Sequence, residues 1–246
     1  MITFPHQNWD ISTILFFNKF CGKSQFLDTF ALVFLSVDAL RTAILVALIF
    51  GIWEYANFKN DTNLKTRVIF ILFSIVVTLG IIEIMNAVIE SPRPIVMYES
   101  LIKSPIVTDD TKLLWNDGWV RNPKHGSFPS DTVALLATMA FGIFLWNRFL
   151  GISAIIFVLI FGVLPRLYFG LHYPSDMLFG MLISLVSTLA VEKFILFKVL
   201  AKKIINIQEK YPYLFGVLWF YMFYIIAEKF ILLRKLPIWI RTMLRH

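Results

Sequence analysis

The sequence contains a single cysteine, Cys21, and few charged residues. Only 16% of its 246 residues are charged, whereas 58% are hydrophobic, and the mean hydropathy is +0.74. One cysteine excludes an intrachain disulfide and a thiolate metal cluster. The scarcity of charge excludes an ordinary soluble domain of this size, in which about 25% of residues are charged. The chain is therefore predicted to be an integral membrane protein, most simply with one domain.

Clusters of acidic residues are also missing. No loop gathers the several carboxylates that Mg²⁺ or Ca²⁺ usually needs. No basic groove lined by aromatic residues indicates binding to nucleic acid. We therefore expect no metal ion, no other cofactor and no nucleic-acid partner, and the lipid bilayer is the expected surrounding.

Hydrophobic stretches long enough to cross, or nearly cross, a bilayer recur along the chain. They predict an all-α membrane protein, a bundle of about six transmembrane helices plus short interfacial helices. The predicted spans are Ala39–Tyr55, Val68–Ile89, Thr132–Trp146, Leu150–Phe169, Met177–Phe197 and Leu214–Leu233. The predicted organisation is N-terminal interfacial helices at 1–38, a membrane core at 39–197, and a basic C-terminal extension at 198–246 with one further hydrophobic segment.

The basic residues predict an orientation in the membrane. They lie after the first, third and fifth spans, in loops containing Lys65, Arg148 and Lys202, and by the positive-inside rule these loops are cytoplasmic. The loops 90–130 and 166–176 then face outward. If Leu214–Leu233 crosses fully, the basic residues after it end outside, against the rule, so a re-entrant or interfacial C-terminal segment stays open.

The most informative stretch is 165–176, PRLYFGLHYPSD, which follows an apolar segment. It places Arg166 six residues before His172, and Asp176 four residues after it. Arginine offers a fixed fork of donors for phosphate oxygens, imidazole is a nucleophile, and a carboxylate can orient the ring. Three ionisable groups beside a bilayer-length segment are costly unless they are functional. The spacing therefore predicts chemistry on a phosphate.

Two further motifs lie in the other predicted outer loop. S-P-R-P occupies Ser91–Pro94, and S-F-P-S-D occupies Ser127–Asp131. Together with R-x5-H-x3-D, in this order, they resemble the type 2 phosphatidic acid phosphatase superfamily of membrane lipid phosphatases. The branch that the sequence resembles most is the bacterial undecaprenyl-diphosphate phosphatases. The resemblance extends from about Ser24 to Phe197.

The resemblance implies an activity and a set of site residues. His172 would attack phosphorus to form a phosphohistidine, and Asp176 would hold its other ring nitrogen. The phosphate would be bound by Arg93, Arg166 and Ser130, with backbone donors where a helix begins at Thr132. The implied enzyme is a phosphatase acting on a membrane lipid phosphate or diphosphate. It would lie in the bacterial inner membrane, with its site facing the periplasm or exterior.

Two positions depart from the family pattern. Asn86 stands where the first motif usually has a lysine, and Thr132 stands where the second usually has a histidine that protonates the leaving group. Lys124 and His125 are the nearby candidates for that role and for contacts with the phosphate. A diphosphate expels a much weaker base than a phosphate monoester does, so losing the acid favours a lipid-linked polyprenyl diphosphate as substrate.

The same change leaves two other functions open. One is a lipid phosphotransferase that passes the phosphoryl group to a sugar or lipid acceptor instead of water. The other is a non-catalytic protein that binds or transports a lipid phosphate.

Overall fold

The computed structural model describes residues 2–103 and 126–228, and almost all of this part is helical. Two short strands, β1 (Ile2–Thr3) and β2 (Ile89–Glu90), pair in parallel. The helices are α1 (Asn8–Asn18), α2 (Gln25–Ser36), α3 (Asp38–Lys59), α4 (Thr62–Val88), α5 (Pro94–Met97), α6 (Asp131–Trp146), α7 (Arg148–Phe157), α8 (Leu164–Tyr168), α9 (Pro174–Lys193), α10 (Ile195–Lys210) and α11 (Pro212–Ala227). A π-helical turn, Val158–Val163, joins α7 to α8.

Four helical stretches are long and apolar enough to cross a bilayer. They are Leu40–Lys59, Thr62–Val88, Arg148–Tyr168 and Pro174–Lys193. They correspond to the first, second, fourth and fifth predicted spans, and the all-α membrane fold is confirmed. The third predicted span is α6 and the sixth overlaps α11. Each of these two helices has 16 residues, or about 24 Å, somewhat shorter than a hydrocarbon core of about 30 Å.

The short helix α6 lies at the centre of the bundle. Its residues from Asp131 to Ala140 are all buried, and α4, α7 and α9 pack around it. Glycines allow close approach: a Cβ at Gly180 of α9 would lie 2.9 Å from the Ser130 carbonyl oxygen. The second turn of α9 and the start of α6 are therefore in direct contact.

Alternating helix directions bring three helix ends together. The end of α4 meets the start of α6 where Ser127 N donates to Ser91 O at 2.7 Å. The start of α6 meets α9 where Ser130 N donates to Asp176 O at 3.1 Å. At the opposite end, Arg67 binds Glu192 at 2.8 Å and so joins the start of α4 to the end of α9. The predicted motifs therefore lie at one end of the bundle.

The N-terminal helices pack on this same end. Helices α1 and α2 contact α8. Asn18 fastens three segments, because its side-chain amide donates to the carbonyls of Lys103 (2.7 Å) and Tyr168 (2.8 Å) and accepts from Lys103 N. Tyr168 also donates to Asp28 at 2.6 Å. The first 38 residues are thus attached to the region that carries the motifs.

The C-terminal helices cover the other side of the bundle. Helix α10 packs on α4, and α11 packs on α3, where the rings of Trp53 and Trp219 lie 4.6 Å apart. The predicted sixth span extends to Leu233, and its last residues, 229–233, lie outside the described part of the chain.

Candidate active site

His172 lies in the loop between α8 and α9 and is nearly enclosed, with 5% of its surface exposed. Its Nδ1 lies 3.0 Å from the carbonyl oxygen of Ser127 and 3.5 Å from Asp176 Oδ2. The sequence predicted that Asp176 holds this nitrogen. The carboxylate does lie beside it, but the shorter contact is with the Ser127 carbonyl.

This contact determines which ring nitrogen can react. A carbonyl oxygen only accepts, so Nδ1 carries the proton and Nε2 keeps its lone pair. Burial lowers the pKa of His172 well below its ordinary value, and the charges of Arg93 and Arg166 lower it further, while Asp131 and the Ser127 carbonyl act in the opposite direction. At neutral pH the ring is therefore neutral and nucleophilic at Nε2.

The carboxylate of Asp176 is fully buried in the first turn of α9. Its Oδ2 accepts from the backbone N–H of Tyr173 at 2.9 Å. This bond caps the start of α9, directly after His172, and fixes the carboxylate next to the ring.

The predicted arginines lie on two other segments. Arg93 is the N-cap residue of α5, where Pro94 begins the helix without needing an N–H partner. Arg166 lies in α8 and donates to the carbonyl of Gly162 at 2.6 Å. That carbonyl belongs to the π-helical turn that directly precedes α8. Both arginines are buried, and the positive charge of each lowers the pKa of His172.

A glycine turn connects these segments. Gly170 has a φ of +62°, a conformation that favours glycine. Its carbonyl accepts from Ile95 N at 2.9 Å, and Leu171 N donates to Arg166 O at 2.9 Å. The turn therefore joins the Arg93 segment to the Arg166 segment directly before His172.

The start of α6 supplies anion-binding groups. Ser130 is its N-cap residue and is completely buried, and its hydroxyl makes no hydrogen bond within the described residues. A helix N-terminus with an unpartnered hydroxyl suits a phosphate oxygen. This geometry agrees with the predicted role of Ser130, which stays a prediction.

Thr132, the other predicted phosphate contact on α6, forms hydrogen bonds with the neighbouring Asp131. Its backbone N–H and its hydroxyl both donate to Asp131 Oδ1, at 2.6 and 3.1 Å. Thr132 therefore sits next to the site with its hydroxyl turned to a carboxylate. Lys124 and His125, the predicted replacements for the missing acid, lie outside the described residues.

An N-terminal contribution was missed by sequence reasoning. His6 and Asp10 contact Ser91 and Ser175, members of the first and third motifs. A signal was present, because H-Q-N-W-D at 6–10 has the same H-x3-D spacing as H-Y-P-S-D at 172–176. Within the described ranges, no group of three or more His, Cys, Asp or Glu side chains could hold a metal ion.

Comparison with known proteins identifies the family. Residues 67–200, which contain all three motifs, match the PAP2 superfamily. The chain belongs to the PAP2 superfamily. A relative from Escherichia coli (strain K12), named "Putative undecaprenyl-diphosphatase YbjG", is 23% identical over 160 residues, which cover 65% of this chain and 70% of the relative. No solved structure matches this PAP2 protein significantly. Membership and this similarity support a lipid phosphatase at the level of the family.

Proposed function

We propose that this PAP2 protein hydrolyses a lipid-linked diphosphate, most simply a polyprenyl diphosphate, through a phosphohistidine on His172. The proposal rests on the surroundings of the His172 ring. The Ser127 carbonyl binds its Nδ1, and the charges of two buried arginines lower its pKa. The name of the relative from E. coli agrees with this substrate class.

The proposed reaction has two displacement steps. In the first, Nε2 of His172 forms a bond to the terminal phosphorus, and the bridging P–O bond breaks to release the lipid monophosphate. In the second, water attacks the same phosphorus, the P–N bond breaks, and inorganic phosphate leaves while His172 recovers its lone pair. Arg93 and Arg166 would balance the charge on the non-bridging oxygens in both steps.

The position of the site suits a lipid substrate. It lies at one end of the bundle, where α4, α6, α8 and α9 meet. A head group could enter there while its hydrocarbon tail stays in the bilayer. From the distribution of basic residues, we infer that this end faces the periplasm or exterior of a bacterial inner membrane.

Phosphate release from purified protein in detergent tests the function. We expect a long-chain polyprenyl diphosphate to yield one phosphate per lipid, with the rate unchanged by EDTA because arginines carry the phosphate charge. Binding of the lipid without phosphate release would indicate a non-catalytic protein. Faster turnover only when a sugar or lipid acceptor is added would indicate a transferase. Loss of activity in EDTA, restored by one divalent ion, would contradict the proposed site.

Thr132→His is expected to change the substrate preference. The wild-type protein should prefer the lipid diphosphate to the matching monophosphate, because no acid at position 132 protonates an alkoxide leaving group. Histidine at this position would supply that proton, so monophosphate turnover should rise by about 10²-fold while diphosphate turnover changes little. The measurement is kcat/KM on both lipids.

Thr132→Gln is the control for this prediction, because it enlarges the side chain without adding a group that titrates near neutral pH. It should leave the monophosphate rate low. Equal rates on both lipids in the wild-type protein, unchanged in Thr132→His, would show that position 132 does not determine the substrate.

A further inference from the structure

A second histidine–carboxylate pair, His6 and Asp10, contacts the segments around His172. His6 Nε2 is 2.8 Å from Ser91 Oγ, and Ser91 Oγ is 2.9 Å from Ser127 Oγ. Ser127 is the residue whose carbonyl accepts from His172 Nδ1. Ser91 and Ser127 are at most 1% exposed. A continuous chain of polar contacts therefore runs from the N-terminal segment to the nucleophile.

Several hydrogen bonds join Ser127 to Ser91 and Ser91 to His6. Ser127 Oγ lies 3.1 Å from Ser91 O, and Ser127 N donates to the same oxygen at 2.7 Å. In the 2.9 Å contact between Ser91 Oγ and Ser127 Oγ, either hydroxyl can be the donor. Burial lowers the pKa of His6, against the opposing charge of Asp10, so the ring is neutral at pH 7. The 2.8 Å contact between its Nε2 and Ser91 Oγ is therefore a hydrogen bond of a neutral ring, in which either atom can be the donor.

Further contacts fix the His6 ring in place. It stacks on Tyr173, the neighbour of His172, with centroids 3.4 Å apart. Its Nδ1 is 3.3 Å from Ser175 Oγ. Ser175 is anchored to the fully buried Asp10 through its N–H (2.9 Å) and its hydroxyl (3.1 Å). The pair His6–Asp10 thus contacts Ser91, the partner of Ser127, and also residues 173 and 175, which follow the nucleophile.

We propose that His6 is a positioning residue for His172, acting through Ser91 and Ser127. By holding the Ser127 peptide, it would keep that carbonyl aimed at Nδ1 and so keep the lone pair of His172 on Nε2. The catalytic part of this inference rests on the proposed function. The effect on the His172 tautomer does not depend on any substrate.

Two substitutions of His6 distinguish its contact with Ser91 from its contact with Ser175. The side-chain amide of glutamine reaches about as far as Nε2, so His6→Gln keeps a hydrogen-bonding group for Ser91. The shorter His6→Asn keeps a polar group near Ser175 but loses the contact with Ser91. Trp9→Ala is the matched control, because Trp9 lies on the same segment with 47% of its surface exposed.

The first readout is the tautomer of His172 in long-range ¹H–¹⁵N correlation spectra of histidine-labelled protein. The chain has only four histidines, and His172→Gln assigns the signal. We expect the Nδ1–H form in the wild-type protein, His6→Gln and Trp9→Ala, and a mixture of both tautomers in His6→Asn. An unchanged His172 signal in His6→Asn would overturn the proposal.

The second readout is turnover of the lipid diphosphate. His6→Asn should lower kcat by about 10- to 100-fold, the usual effect of losing a partner that orients a site residue, with KM and melting temperature unchanged. His6→Gln should stay within about threefold of wild type. Equal losses in both variants, or a loss that follows melting temperature, would show a merely structural role. If the wild-type protein releases no phosphate, the proposed function fails, and the tautomer spectra still decide whether His6 positions His172.

Discussion

His172→Ala is expected to lower phosphate release from a lipid diphosphate by at least about 10³-fold, because it removes the group that bonds to phosphorus. Binding of the lipid should persist, since Arg93, Arg166 and the start of α6 are untouched. The measurement is single-turnover phosphate release, beside a lipid-binding titration of the same preparation.

Asp176→Asn provides the graded comparison for this prediction. It keeps the size of the side chain and an oxygen for Tyr173 N, but replaces the carboxyl group beside Nδ1 by an amide. Because the Ser127 carbonyl still holds the ring, the loss should be smaller, about 10- to 100-fold. Turnover within threefold of wild type in His172→Ala would contradict the assignment of the nucleophile.

Replacing either buried arginine of the site by lysine is expected to lower kcat/KM by about 10²-fold. Lysine keeps the positive charge but loses the planar fork that binds two phosphate oxygens at once. Arg166→Lys should also weaken the bond to the Gly162 carbonyl, which fixes the side chain in the π-helical turn. The measurement is steady-state kinetics for Arg93→Lys and Arg166→Lys.

Arg67→Lys is the matched control for these two variants. Arg67 is paired with Glu192 at the opposite end of the bundle, and 42% of its side chain is exposed. The same substitution there should leave kcat/KM within about twofold, because the pair lies far from the phosphate. It should also leave the protein folded, since a partly exposed ion pair contributes about 1 kcal/mol or less to stability. Equal losses in all three variants would show that the effect does not come from phosphate binding.

The fold class could be predicted because hydrophobic length is a local property of the sequence. Four predicted spans correspond to helices long enough to cross a bilayer. The central position of α6 was not predictable in this way. Its apolar residues look like those of any span, and only the packing of α4, α7 and α9 around it shows that it is enclosed.

Short motifs predicted Arg166, His172 and Asp176 as site residues, and their roles stay predictions. The main partner of His172 was not found, because it is the backbone carbonyl of Ser127 and every residue has a carbonyl. His6 was also missed. Its contact with Ser175 joins positions 169 residues apart, and no local pattern predicts that the N-terminal segment folds back onto this loop.

The most direct test of the account is to trap the covalent intermediate. Protein mixed with a lipid diphosphate labelled with ³²P at its terminal phosphate should be quenched within one turnover and digested with protease. The account predicts a label that is stable in alkali, labile in acid, located on the peptide containing His172, and missing from His172→Ala. A label on another residue, or rapid phosphate release with no labelled protein at any quench time, would contradict it.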